Sequence, residues 1–276
     1  MESLEVRLRQ ALGKRRAKGT IDRYAYLARQ FVDFTDQESN FTKQQALSFV
    51  DRLIERGQTP ERIRWVCSVL NRIYRIADLP NPITKDDAPK LPGHKQFRPM
   101  PLTKHVDQMV RWARRNGNAL EVLYMIMSTT YGLRRGELAR LTVADFSHNL
   151  SMVNIHTLKH GIQREHVIPD QVRTSLRTSL SVLKKVPSYS DVMVSQIYGE
   201  IAHKSGYKRQ TREGWHGIRR LLDTELLARN VPWYVVKSYM RWSGMGGDMP
   251  GRYFNMDEKA IDRLVFEHHP FLEFWA

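Results

Sequence analysis

Five side chains spread over the second half of the chain have the right types to act on one phosphorus atom: Arg134, Lys159, His216, Arg219 and Tyr253. Guanidiniums stay charged at any working pH and offer paired N–H donors that match phosphate oxygens. A phenol can serve as nucleophile, an imidazole can accept a proton near neutrality, and an amine can donate one. No metal-ligand set and no carboxylate pair stands among them. The chemistry such a group suits is displacement of an oxygen at a phosphodiester by a tyrosine.

Each residue sits in a recognisable local setting. Arg134 follows a Gly-Leu turn in YGLRRGELARL and precedes a short helical pattern. An arginine at a helix start can present its fork to an anion, with Arg135 as the neighbouring candidate and Glu137 able to hold the turn by internal pairing. His216 and Arg219, in WHGIRRLL, are three apart and share one helix face, with Ile218, Leu221, Leu222, Leu226 and Leu227 supplying apolar contacts. Tyr253 follows a loop rich in glycine at 244, 246, 247 and 251, which gives a nucleophile room to reach, react and release. Taken singly, each has a plainer reading: a structural arginine at a turn, a satisfied core histidine, one of eleven tyrosines.

The elements that must position these residues are mostly helical. Ile21, Tyr24, Leu27, Phe31 and Phe34 fall at helical spacing in 20–35, and Ala46, Phe49, Val50, Leu53 and Ile54 do so in 42–56. Thr42 with Gln45 reads as a capping box, and Thr59-Pro60-Glu61 opens a further helix burying Ile63, Val66, Leu70, Ile73 and Tyr74. Arg62, Arg72 and Arg75 lie on that helix's other face. Six prolines between 79 and 101 stop helices and mark a linker. Helical periodicity returns from Thr103 to about 141. Residues 151–155 and 163–168 read as a β-hairpin turning at Gly161, with Lys159 beside the turn. Helices then resume, broken at Pro187, Gly206, Gly214 and Pro232, and Asp257 caps the last one. The expected fold is mainly α with a small antiparallel β-sheet, in two domains: a helical domain with basic outward faces over 1–83, a Pro-rich linker over 84–100, and a second domain over 101–276, carrying the five side chains, with a C-terminal tail.

Charge fits that picture. Lys and Arg number 44 against 29 Asp and Glu, a formal net charge of +15 shared by both halves of the chain. Such an excess favours a polyanionic partner through counterion release; a solubility charge or a general RNA-binding protein would also account for it. Cys67 is the sole cysteine, which excludes an intrachain disulfide and a multi-cysteine zinc site, and its helical setting makes it a core residue. His156, His160, His166 and His268-His269 lack metal-ligand spacing, so no metal is expected. No apolar run reaches a membrane span and the N-terminus has no apolar signal core, which points to a soluble intracellular protein.

Together the strings resemble the tyrosine recombinase (integrase) family. The matching pieces are GLRRGEL at 132–138, TLKHG at 157–161, HGIRR at 216–220, MRWSG at 240–244 and the Tyr253 segment, in the family's order. Trp242 follows Arg219 by 23 residues and Tyr253 follows Trp242 by 11, in keeping with the family's spacing. The resemblance is good over 101–260 and weaker over 1–80, and MPGRYFN looks closest to archaeal and mobile-element integrases.

The resemblance implies a two-domain C-shaped clamp on DNA. Arg134 and Arg219 would grip the scissile phosphate. Lys159 would protonate the leaving 5′ oxygen, with Lys204 and Lys208 as alternatives. His216 would take the tyrosine proton or bond the phosphate, and Tyr253 would form a 3′-phosphotyrosyl link. Trp242 stands where many members have histidine; an indole N–H cannot shuttle a proton, so its role shifts to packing and one hydrogen bond. Neither metal nor cofactor is implied. The implied partner is double-stranded DNA with paired inverted half-sites, bound by a homo-tetramer that is a monomer or weak dimer when free. The setting would be the nucleoid in the cytoplasm of a prokaryotic or virus-host cell. Before residue 20 there is no room for an arm-binding domain, and the apolar tail FLEFWA would dock into a neighbour or into its own domain. Two alternatives share the fold: a type IB topoisomerase-like relaxing enzyme, and a non-catalytic DNA-binding protein.

Overall fold

The computed structural model describes residues 3–13, 18–84, 86–88, 90, 99–157, 162–183, 185–187, 189–242 and 257–276. The chain divides into two compact units, Met1–Gln96 and Phe97–Ala276.

Among its described residues the first unit has four helices: α1 (Leu4–Gly13), α2 (Lys18–Thr35), α3 (Lys43–Glu55) and α4 (Pro60–Ile76). The capping box at α3 forms in both directions between Thr42 and Gln45, and Thr59 caps α4 ahead of its N-terminal proline. The inward stripes meet in one core around Phe31, Phe49, Val66, Leu70 and Tyr74. Helix α1 was not anticipated; its leucines at 4, 8 and 12 recur every fourth residue and are all buried. On α4, Arg64 and Arg75 are exposed, while Arg62 lies over the Trp65 ring at 4.2 Å.

In the second unit the periodicity from Thr103 resolves into three helices: α5 (Thr103–Asn116), α6 (Ala119–Tyr131) and the single turn α7 (Arg135–Leu138). Asn118 caps α6 through its side chain, and Gly132 ends it in the left-handed conformation at φ +60. Strands β1 (Met152–Ile155) and β2 (Arg164–Val167) pair antiparallel, with Asn154 opposite Glu165. The expected turn at Gly161 lies outside the described residues. Then follow α8 (Asp170–Val182), α9 (Asp191–Lys204), α10 (Trp215–Ala228), α11 (Trp233–Tyr239) and α12 (Glu258–Glu267).

Helix α6 is buried along almost its whole length, and α5, α8 and α10 pack around it. The chain ends in a 3-10 turn, Leu272–Trp275, docked into its own unit. Phe271, Leu272 and Trp275 are buried there, and the Trp275 indole donates to Thr129 Oγ1 at 3.0 Å. Two local expectations need correction. Leu227 is exposed, because Leu222 and Leu226 take the inward stripe of α10. Asp257 stands at the N-cap of α12 but makes no side-chain cap bond. No described helix is long and apolar enough to cross a membrane.

Candidate active site

The site grows from the C-terminal end of α6. The last carbonyls of a helix have no partner within it and carry the negative end of its dipole. Here side chains take them in turn. Thr130 O accepts from the Tyr239 hydroxyl at 2.6 Å and lies 3.0 Å from His269 Nε2. Tyr131 O accepts from Arg241 at 3.1 Å, and Gly132 O accepts from Arg219 Nη1 at 2.6 Å. Arg219 Nη2 donates to the Met240 carbonyl. One guanidinium therefore ties α10 both to the turn before Arg134 and to the segment leading to Trp242.

Gly132 is required at that turn. Besides its left-handed φ, a Cβ there would meet Met240 Sδ at 3.2 Å and Arg219 Cγ at 3.3 Å. Beyond it, Arg134 is the N-cap of α7 and Glu137 is the third residue of the turn. Glu137 accepts from Arg134 N at 2.9 Å and from Arg134 Nη1 at 2.7 Å. The Glu137 side chain is 1% exposed and that of Arg134 25%, so a buried carboxylate aims a partly open guanidinium. Arg135 turns away and bonds Asp191 and Ser195 of α9.

Three cations crowd this place. Arg241 is fully buried at φ +56, with Nη2 3.5 Å from Glu137 Oε2. Burial first, and then the charges of Arg241 and Arg134, push Arg219 well below the ordinary guanidinium range. Burial would raise Glu137, but the charge of Arg241 and the bonds from Arg134 outweigh it and hold the carboxyl below its usual value. One turn after Arg219, burial pushes the Asp223 carboxyl up while the Arg219 charge pulls it down. Among the described residues the cluster thus sets three guanidiniums against the carboxylates of Glu137 and Asp223, a positive excess in a site of low dielectric.

Arg241 also reaches a second buried group. Its Nη1 lies 3.1 Å from His166 Nε2, and His166 Nδ1 lies 3.0 Å from Asp262 Oδ1. Asp262 further accepts from Arg164 at 2.7 Å and from Val167 N at 2.7 Å. Burial pushes His166 down to about 4, so its neutral ring donates from Nδ1 and accepts at Nε2. This line of polar side chains joins β2 and α12 to the arginine cluster. Sequence reasoning missed Arg241, His166, Asp262 and Arg164.

Of the residues anticipated from the sequence, Arg134, Arg219 and Trp242 come together. Trp242 is half-buried, and its ring faces Arg219 Cζ at 5.9 Å. His216 is on the same helix as Arg219 but exposed, where a buried pair was expected. Trp215 takes the inward position of that first turn instead, donating to Val194 O at 2.6 Å. Lys159 and Tyr253 lie outside the described residues. The alternative Lys204 is committed elsewhere, 3.2 Å from Glu121 Oε1, and Lys208 is exposed.

No protein-family model matches the chain. It is 22% identical over 239 residues to the tyrosine recombinase XerA of Pyrococcus furiosus, covering 82% of this chain and 80% of that one. A lambda integrase tetramer bound to a Holliday junction shares the fold with a TM-score of 0.65 at 15% identity, over 92% of this chain and 77% of that one. The Tn1549 transposon integrase in complex with transposon right end DNA does so with a TM-score of 0.62 at 14% identity, over 96% and 99%. The chain thus resembles a tyrosine recombinase in sequence along four fifths of its length, and its mainly helical fold, with one two-stranded antiparallel sheet among the described residues, is that of the lambda and Tn1549 integrases.

Proposed function

We propose that the protein is a site-specific DNA recombinase that cuts and rejoins strands through a phosphotyrosyl intermediate, without metal or ATP. The observation that carries this reading is the net-positive cluster at the end of α6, in which Arg219 and Arg241 are buried and Arg134 is partly open. A phosphate oxyanion supplies the negative charge this cluster lacks, and the charge that builds up in a pentacovalent transition state supplies more. Two of the Arg219 guanidinium's N–H donors go to carbonyls, and in this reading others serve the anion.

In this reading the Tyr253 oxygen attacks phosphorus and the bond to the 5′ oxygen breaks. His216 takes the phenol proton and Lys159 delivers one to the departing 5′ oxygen. Attack of a 5′ hydroxyl on the phosphotyrosyl bond reverses the exchange, so no energy source is consumed. The XerA, lambda and Tn1549 relatives support double-stranded DNA as partner, and the lambda tetramer on its junction supports a tetrameric working form. Residues 1–83 would bind DNA, 84–100 would link, and 101–276 would carry the chemistry, on paired inverted half-sites in the cytoplasm of a prokaryotic or virus-host cell. The free chain would be a monomer or weak dimer.

The test is a pool of nicked duplexes of random sequence, in which cleavage releases a short strand and traps the covalent adduct. Wild type is expected to yield a gel-stable adduct whose DNA can be sequenced, and Tyr253→Phe none. Equal adduct from both would exclude Tyr253 as nucleophile. With the recovered sequence in hand, strand exchange between two sites separates a recombinase from an enzyme that only relaxes supercoils. Binding without any adduct would leave a DNA-binding protein.

A further inference from the structure

Arg241 is an unusual residue for its place. It is fully buried, charged, and in the left-handed region at φ +56, where a side chain is strained. A conformation of that kind persists only when its surroundings hold it. The surroundings are Glu137 Oε2 at 3.5 Å, His166 Nε2 at 3.1 Å, and the carbonyls of Tyr131 at 3.1 Å and Tyr239 at 3.3 Å. Each belongs to a different part of the site: the α7 turn, strand β2, the end of α6 and the end of α11. The residue before it, Met240, offers its carbonyl to Arg219, and the residue after it, Trp242, faces Arg219 with its ring.

We propose that Arg241 is a positioning residue for the phosphate-binding arginines. Its guanidinium fixes the Glu137 carboxylate that aims Arg134, and by anchoring its own main chain it holds the Met240 carbonyl and the Trp242 ring against Arg219. The function rests on the recombinase reading; the geometry does not. Arg241 acts through charge as well as shape, because among the described residues the other cations on Glu137 are Arg134 from its own turn and, more remotely, Arg219 from α10. Arg140, Asp145 and His156 line a small crevice beside it. His156 is 3.1 Å from Asp145, so that pair does not replace a missing cation.

The experiment measures single-turnover adduct formation by the full chain on the nicked duplex recovered with wild type. Arg241→Met is expected to slow adduct formation roughly 100-fold, the order of loss from a small misplacement of catalytic groups, with the dissociation constant for the same duplex little changed. It should also acquire a new acid limb, because a buried carboxylate stripped of its cation protonates more readily. That limb should vanish in Arg241→Met/Glu137→Gln, and the double variant should lose no more than the worse single one. Arg241→Lys keeps the charge and should keep the wild-type pH profile, with a rate slowed about tenfold by loss of the two-sided fork. Should Arg241→Met fail to fold, Arg241→Gly, which suits the left-handed backbone, replaces it, and the Lys variant's rate and profile stand as an independent decision. Wild-type rates in the Met or Gly variant, a wild-type rate in Arg241→Lys, a Lys profile carrying the acid limb, or a limb that persists in the double variant would each overturn the proposal. No adduct from wild type would instead sink the recombinase reading.

Discussion

Arg219 Nη1 and the carbonyl oxygen of Gly132 lie 2.6 Å apart, so helix α6 ends on a side chain sent across from α10. The contact depends on a turn that carries no side chain. Gly132→Ala forces a left-handed alanine and pushes on Met240 and Arg219. The expected cost is about 1–2 kcal/mol in denaturant unfolding, with a proportionately larger fall in adduct formation because Arg219 is displaced. A variant with wild-type stability and rate would show that the turn does not position Arg219.

Arg219→Lys tests whether this guanidinium is used for its shape. A lysine can meet one carbonyl but cannot bridge Gly132 and Met240 while offering further donors to an anion. Adduct formation should fall roughly 10²–10³-fold, the loss typical of removing one preorganised donor from a developing oxyanion. DNA affinity, set by many phosphate contacts, should change little. Single-turnover rates alongside filter binding at fixed salt decide it.

Stability should fall as pH drops below neutrality. Burial pushes both His166 and His269 down to about 4, from an ordinary value near 6.5. Between those values the unfolded chain binds protons that the folded chain refuses. The folded state is therefore fully favoured above about pH 6.5 and loses ground as pH drops toward 4, by at most about 3 kcal/mol for each histidine. Urea unfolding at pH 7 and pH 5 measures the slope. His269→Gln should remove part of it, and an unchanged slope would mean that His269 is not kept neutral.

The tail is a stability element of its own unit. Trp275 is 3% exposed and bonded to Thr129, and Arg114 donates to the Phe274 carbonyl at 2.7 Å. Trp275→Ala should cost about 3–5 kcal/mol, read as a lowered melting temperature in the free chain. A melting temperature unmoved by this change would show that the tail is not seated there in solution.

Much of this was legible in the sequence, for identifiable reasons. Helices with a broad apolar stripe and a cap, such as α3 and α4, announce themselves through spacing, as does the Arg134–Glu137 pair three residues apart. The arginine cluster's interior did not. Arg241 meets His166 from 75 residues away and Tyr131 from 110, and no local period records such a meeting. Two signals were present. An arginine stands between Met240 and Trp242 in an apolar run. On β2 the alternation buries Arg164 and His166 and exposes Glu165, a polar set on the inward face that needs a buried partner. Burial within the first turn of α10 was not legible either: His216 has the spacing to share a face with Arg219, but Trp215 takes the interior and His216 is exposed.

The crowding of like charges at the end of α6 has a wider consequence. A fold that confines Arg134, Arg219 and Arg241 beside the carboxylates of Glu137 and Asp223 gathers more positive than negative charge there among the described residues, and so keeps a local weakness in its own architecture. Replacing Arg219 with a well-packed apolar residue such as methionine would relieve that repulsion and can yield a protein that resists heat better while no longer reacting. Selection for robustness alone would therefore erode this site first.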